Sequence, residues 1–227
     1  MRAEAVHEVE QLLQRRRTLE RAEATVARIS ARLGRLRRWQ AARLARTYAD
    51  LRRDPRYAPA TEFFLRDLYG AHDFAARDRQ LEDAWRFFRR WLPPPALSVL
   101  AHALELDVLT RELDQAMAAL LPDASVTEAS YARAYRALGR REARERQVEL
   151  VLATGHDLQR VVRHRSIGLL LRAAHAPAHL AGLDQLQAFL ERGYRVFRAM
   201  PSADQFLAII HERESSLLED WLAGAPA

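Results

Sequence analysis

Apolar and polar residues recur along this chain with the 3.6-residue spacing of amphipathic α-helices. Runs that alternate with the period of two typical of β-strands are missing, and valine and isoleucine are sparse. Proline and glycine residues divide the periodic segments from one another. The pattern therefore predicts an all-α protein of about eight helices, in which a long N-terminal helix precedes a helical bundle.

The longest periodic segment, residues 4–52, predicts one continuous helix that Asp54-Pro55 ends. It contains no proline and a single glycine, Gly34. From Leu12 to Leu36 its apolar seam is close to a heptad repeat, which is typical of a helix packed along another helix. A break near Gly34, which would fold the first half back onto the bundle, is the alternative.

This segment sets the expected domain organisation: an Arg-rich helical arm over 1–54, a helical bundle over 55–223 and a frayed tail over 224–227. A helix of about 45 residues spans roughly 65–70 Å, whereas a bundle of about 170 residues has a radius of gyration of roughly 15–16 Å. The N-terminal turns should therefore project with their apolar seam uncovered. A second copy of the same seam is the simplest cover, so a homodimer is expected.

Short motifs mark helix ends inside the bundle. Ser125-x-x-Glu128 and Ser202-x-x-Gln205 have the spacing of capping boxes. Residues 154–157, Thr-Gly-His-Asp, indicate either a kink or a break with a new cap. The helix that follows is expected to end near Ala174, before Pro177.

Residues 62–74, EFFLRDLYGAHDF, group aromatic residues and two aspartates around one expected helix end. In a functional interpretation, Asp67 and Asp73 are paired acids of a site. The structural interpretation is favoured, because buried aromatic residues usually serve packing, Asp73 suits a helix N-cap and Gly70 suits a left-handed C-cap. The signature residues are Phe63, Phe64, Asp67, Tyr69, Gly70, Asp73 and Phe74.

The pattern FFL-x-DLYG-x-x-DF in this segment resembles a signature of a bacterial family of all-helical proteins of unknown function. The resemblance extends from about Tyr48 to about Asp114. It implies a helical fold, and it assigns no activity, ligand or catalytic residue.

Charge is distributed unevenly along the chain. All 36 basic residues are arginine, and the formal net charge is +6. Residues 1–60 hold 15 arginines against 7 acidic residues, and residues 131–172 hold 10 against 4. This asymmetry indicates basic surfaces that suit an acidic protein, nucleic acid or lipid headgroups.

A line of arginines follows one side of the expected N-terminal helix. In the functional interpretation it is a surface for an anionic partner, either an acidic protein or nucleic acid. A solvated face that keeps the helix soluble is the favoured alternative, and aromatic residues that stack on bases are scarce along the line. The line comprises Arg17, Arg21, Arg28, Arg32, Arg35 and Arg46.

Motifs for catalysis, metal binding or cofactor binding are missing. The chain has no cysteine and no lysine, and no HExxH, glycine-rich phosphate loop or G-x-S-x-G sequence occurs. His175 and His179 lie four residues apart, but Pro177 between them disturbs a shared helical face. No catalytic residue, metal ligand or cofactor is therefore assigned.

These observations favour a non-enzymatic binding or scaffold protein that self-associates through its N-terminal helix. A nucleic-acid-associated protein that uses the arginine line is the alternative, and a helical-bundle enzyme with a metal or cofactor is the third. The chain has no apolar run long enough for a transmembrane helix. Since its first residues do not form a signal peptide, a cytoplasmic location is expected.

Overall fold

The computed structural model describes residues 2–25, 27–68, 75–90 and 92–224. Within them the protein is all-α, as predicted, with ten α-helices instead of about eight and no strand. The helices are α1 (Arg2–Thr25), α2 (Ala27–Thr47), α3 (Ala58–Phe63), α4 (Ala75–Phe88), α5 (Pro94–Leu120), α6 (Glu128–Leu138), α7 (Arg141–Arg163), α8 (Arg165–Leu180), α9 (Asp184–Ala199) and α10 (Ala203–Ala223). A π-helical turn, Phe64–Leu68, extends α3.

Helix α5 is the central element, because α1, α2 and α7 all pack against it. Helix α1 runs parallel to it: Arg16 Nε lies 2.8 Å from Asp107 Oδ2, and Gln115 Nε2 donates to the Leu19 carbonyl nearer the far end of both helices. Helix α7 runs antiparallel to α5, with Gln147 of its first half bonded to Thr110. The longest helices therefore form one parallel and one antiparallel pair around α5.

The expected continuous helix over 4–52 is wrong, because the chain turns between α1 and α2. Arg37 Nη2 lies 3.0 Å from Glu23 Oε1, although the residues are 14 positions apart. In a straight helix that separation would be about 21 Å, farther than the two side chains reach. The turn falls before Gly34, which lies inside α2.

The prediction that the apolar seam of the N-terminal turns projects uncovered is also wrong. Val9 and Leu13 are buried in a cluster with Trp85 of α4 and with Leu97 and Leu104 of α5. Burying these side chains within the chain releases the same hydrophobic free energy that a second copy would have supplied. The argument for a dimer through this seam therefore no longer applies.

At two positions where the sequence analysis named a helix break or a helix end, the helix continues. Helix α7 passes through Gly155 and ends at Arg163, before the extended residue His164. Helix α8 passes through Pro177 to Leu180. Because Pro177 lies in the final turn, it removes only the hydrogen bond to the carbonyl of Ala173, an exposed residue that water can reach.

The helix caps agree with the sequence in one case and differ in the other. The Ser202 hydroxyl accepts from the Gln205 backbone N–H at the start of α10, as predicted. For α6 the cap is Thr127, in a reciprocal capping box with Ser130, and not Ser125. Ser125 and Thr127 both have the hydroxyl that capping requires. The distance along the chain to the first buried residues of α6 therefore decides which of them is the cap.

Candidate functional site

The predicted arginine line does not follow a single helix, since the chain turns between α1 and α2. Arg17 Nε lies 2.7 Å from Glu82 Oε1, and Arg32 Nε lies 2.7 Å from Asp123 Oδ1. Arg35 Nη2 is 3.9 Å from the same Asp123 atom. These three guanidinium groups therefore already have carboxylate partners within the chain.

The other members of the line have different environments. Arg21 and Arg46 are exposed, one on α1 and one on α2. The side chain of Arg28 lies outside the described part of the chain. The exposed cations are thus divided between two helices.

The first two signature residues belong to the interior. The Phe63 ring lies 5.3 Å from that of Phe189, and the Phe64 ring lies 5.9 Å from Phe197 and 5.7 Å from Phe206. Through these ring contacts, α3 and the π-helical turn pack against α9 and α10. Outside the described part lie the Asp67 side chain and the whole of Tyr69, Gly70, Asp73 and Phe74.

A polar and aromatic cluster, here named the interior cluster, is enclosed between α2, α5, α6, α7 and α10. Tyr131 contributes its centre: its ring stacks on Trp39 at 4.1 Å and meets the Trp221 ring edge-on at 4.9 Å. The cluster consists of Gln40, Arg43, Asp114, Tyr131, Tyr135, Arg144, Glu214 and Trp221.

Arg144 of α7 is the most unusual member, because its side chain is charged and the residue is only 5% exposed. The guanidinium carbon lies 4.6 Å from the Tyr135 ring centre, which places the cation over the negative face of the ring. Nη1 donates to Gln147 Oε1 at 3.3 Å. No hydrogen-bond acceptor in the described residues reaches Nε or Nη2.

Arg43 of α2 occupies the opposite side of the interior cluster. Its Nη1 lies 2.6 Å from Glu214 Oε1, which also accepts from the Tyr48 hydroxyl at 2.7 Å. The Arg43 guanidinium lies 5.4 Å from the Trp221 ring centre. Arg43 Nε and Trp221 Nε1 are buried, and neither has an acceptor among the described residues.

The acidic and phenolic groups of the interior cluster have perturbed pKa values. Burial raises the pKa of Asp114, although Gln40 Nε2 donates to it at 2.9 Å and Arg37 Nε lies 3.5 Å away. Burial likewise raises the pKa of Tyr131 and of Tyr135. Since their ordinary pKa already lies far above 7, the two tyrosines stay protonated at neutral pH.

The sequence placed Arg144 in a basic segment but did not identify it as an interior residue. A signal was present, since Arg144 occupies the first position of an apolar stripe with spacings of four and three residues. The stripe continues with Val148, Val151, Gly155, Leu158 and Val162. An arginine at such a position indicates a buried cation, because the same face is apolar further along the helix.

A second polar group, Asp157 with Ser98, His102 and Arg160, joins α5 to α7. Asp157 Oδ2 accepts from the Ser98 hydroxyl and lies 3.0 Å from His102 Nδ1, while Oδ1 pairs with Arg160. Burial raises the pKa of Asp157, but the hydrogen bonds from Ser98 and Arg160 outweigh it and hold the pKa below its usual value. Serine and histidine both bond the aspartate and not each other, so this is not a nucleophilic triad.

Two histidines of α8 pair with carboxylates of α9. His175 Nδ1 lies 2.9 Å from Glu191 Oε1, and His179 Nδ1 is bonded to Asp184. Each pair carries only two potential ligands. In the described part of the chain, no group of three or more metal-binding side chains is placed to hold an ion.

Helix α8 has an apolar outer face. Its inner side, which includes the buried Ala178, packs on α9 and α4. On the outer side, Leu169 is 59% and Leu180 is 87% exposed, and Ala173 and Ala176 lie between them in the open. A helix that is apolar on both sides is normally buried on both sides, so this face suits a contact with another molecule.

Fold and site together define an all-α helical-bundle protein. Residues 18–227 match the family described as Domain of unknown function (DUF8198), and the chain belongs to this family. The predicted membership of a family of unknown function is confirmed, whereas its signature and bacterial origin stay predictions. No curated protein and no solved structure matches the chain.

Proposed function

We propose that the protein is a non-enzymatic binding protein that works as a homodimer and that α8 forms the contact between the two copies. The observation that carries this proposal is the exposure of apolar side chains on the outer face of α8. The leucines at its two ends, Leu169 and Leu180, are among the most exposed large apolar residues of the described chain. Their removal from water provides the driving force for association.

The order of residues on this face is self-complementary. Leu169, Ala173, Ala176 and Leu180 are spaced by four, three and four residues and fall within an arc of about 60°. A two-fold axis between positions 174 and 175 sets Leu169 opposite Leu180 of the second copy, and Ala173 opposite Ala176. Small residues at the centre let the helix backbones approach, and the leucines close the ends.

Charge complementarity supports the same antiparallel pairing. No acidic residue occurs between positions 157 and 184, so α8 itself carries no carboxylate. The two-fold axis sets the exposed Arg165, at the start of one α8, near the C-terminal end of the other α8, and Asp184 follows that end after a short turn. The Asp184 side chain is 54% exposed and bonds His179 in its own chain, so we propose that it pairs with Arg165 in addition to that contact.

This proposal keeps the homodimer expected from the sequence but moves its contact from the N-terminal helix to α8. The alternative function, nucleic-acid binding by the arginine line, has the weaker support, since Arg17, Arg32 and Arg35 are paired with carboxylates. A metal- or cofactor-dependent bundle enzyme has no supporting side-chain cluster in the described residues.

The test is the molecular mass in solution as a function of concentration. Light scattering and sedimentation should report a dimer at tens of micromolar for the unaltered chain, and a monomer for the double variant Leu169→Gln with Leu180→Gln. Leu120→Gln is the matched control, because Leu120 is 49% exposed at the far end of α5 and should leave the dimer intact.

A charge exchange tests the antiparallel arrangement. Arg165→Asp and Asp184→Arg should each weaken the dimer, and the two together should restore it. A monomer at all concentrations overturns the proposal. If that monomer binds vesicles of anionic lipid through Leu169 and Leu180, the face is a membrane contact instead.

A further inference from the structure

We propose that the interior cluster binds a small tetrahedral oxyanion, of the chemistry of phosphate or sulfate, through Arg144, Arg43 and Trp221. The site is separate from the α8 face and does not depend on the dimer.

The first ground is a concentration of unpaired donors. Four buried side-chain nitrogen atoms of the interior cluster lack a hydrogen-bond partner in the described residues: Arg43 Nε, Arg144 Nε, Arg144 Nη2 and Trp221 Nε1. All four are donors. Native proteins satisfy most buried polar groups, so such a cluster of donors indicates an acceptor supplied from outside the chain.

The second ground is that the nearby carboxylates are already used. Glu214 accepts from both Arg43 Nη1 and Tyr48, and Asp114 accepts from Gln40 with Arg37 beside it. Arg144 has no ion pair among the described residues, although it is a buried cation. The charge of the buried Asp114 carboxylate acts on Arg144, but no hydrogen bond joins them, so an anion that bonds Nε and Nη2 satisfies donors that Asp114 does not reach.

The kind of anion follows from the lining. The free donors come from three helices, α2, α7 and α10, and they number four, which matches the four acceptor oxygens of a tetrahedral oxyanion better than the two of a carboxylate. The guanidinium carbons of Arg144 and Arg43 lie 4.6 and 5.4 Å from the ring centres of Tyr135 and Trp221, and these contacts hold the two cations beside the rings.

Burial limits the size of the ligand. Arg144 and Trp221 are 5% and 3% exposed, so a ligand that bonds both has to be enclosed by the surrounding helices, which favours a small ion over a nucleoside attached to the phosphate. The Arg43 and Glu214 side chains are 12% and 21% exposed and mark the side that is open to solvent. We therefore expect the ligand to be a free inorganic ion.

The test compares the melting temperature of the full chain in inorganic phosphate, in sulfate and in adenosine monophosphate, with chloride at matched ionic strength as reference. At a hundredfold excess over Kd we expect phosphate and sulfate to raise the melting temperature by about 5–10 °C, with saturation. Adenosine monophosphate should have no such effect. Excluded-salt stabilisation does not saturate and is common to all variants.

Arg144→Met removes two of the free donors and should abolish the saturable rise in melting temperature with phosphate and sulfate. Arg133→Met, on an exposed arginine of α6, should retain it. Trp221→Phe retains a smaller aromatic ring and removes one donor, so it should weaken phosphate binding several-fold, which tests the site even if Arg144→Met fails to fold. The ³¹P line of inorganic phosphate should broaden with the unaltered protein and recover its width with Trp221→Phe.

Equal phosphate shifts in the unaltered protein, Arg133→Met and Trp221→Phe overturn the proposal and assign the four donors to buried water. A saturable shift with adenosine monophosphate alone overturns the free ion in favour of a phosphate carried on a larger molecule.

Discussion

Gly155 of α7 lies directly against Leu207 of α10. A Cβ atom at position 155 would be 2.5 Å from Leu207 Cδ2, and Leu207 is almost completely buried. The two helices therefore cross at a point where only a hydrogen fits. The glycine that resembles a helix break in the sequence is a packing residue inside a continuous helix.

Gly155→Ala should accordingly destabilise the protein by about 1–3 kcal/mol, as overpacked core positions do. Chemical denaturation measures this change in the free energy of unfolding. Gly34→Ala is the control, since its Cβ would have only an ordinary contact, 3.5 Å from Arg38 Nη1. Alanine is the better helix former, so this control should gain about 0.5–1 kcal/mol. A gain at both positions would contradict the close crossing.

Phe63→Ala should lower the free energy of unfolding by about 3–5 kcal/mol, because its buried ring packs on Phe189 and lies against the backbone of Gly193. Phe63→Leu, which retains most of the volume, should cost less than about 1.5 kcal/mol. If the melting temperature of Phe63→Ala were unchanged, the start of the signature segment would lie on the surface and not in the core.

Leu13→Ala should cost about 2–5 kcal/mol, since this side chain is enclosed by α4 and α5. Gln14→Ala at the exposed neighbour should have little effect. Removal of residues 1–25 uncovers Trp85 and Leu97 and should yield aggregated or unfolded protein. A stable, folded product of that deletion would support an independent N-terminal arm.

The stability contributed by Asp157 should depend on pH. Its pKa is lower in the folded than in the unfolded state, so its contribution is complete above the unfolded-state pKa of about 3.9 and is lost as the pH falls through the folded-state value. The difference in melting temperature between the unaltered protein and Asp157→Asn should therefore be largest near neutral pH and shrink in acid. A difference that grows on acidification would contradict the lowered pKa.

Arg32→Glu should reduce stability by about 1 kcal/mol, because it breaks the pair with Asp123 and sets two carboxylates side by side. Arg46→Glu, at an exposed position, is the control and should melt like the unaltered protein. The nucleic-acid alternative requires the opposite result: unchanged melting of Arg32→Glu together with loss of salt-sensitive retention on nucleic acid.

Local signals in the sequence were sufficient for the fold class and for several element ends. The Ser202 cap of α10 and the proline at the start of α5 follow from side-chain chemistry that acts within a few residues. The length of α8 did not follow, because a proline in the last turn is tolerated only where water or packing compensates for the lost hydrogen bond and for the clash of its ring. Whether water reaches the carbonyl that loses this hydrogen bond depends on its burial in the tertiary structure, and no short sequence motif predicts that burial.

The periodic spacing of apolar residues determined by itself that this protein is helical, since one apolar face per helix is enough to require a packed bundle. The spacing alone does not determine which other helix covers the apolar face of each helix. The structure covers the seam of α1 with α4 and α5, leaves the outer face of α8 open and places Arg144 inside. Those outcomes depend on contacts between residues far apart in the chain, such as Glu23 with Arg37 and Arg43 with Glu214. Because such contacts exist only once the helices have assembled, tertiary structure alone decided both candidate sites.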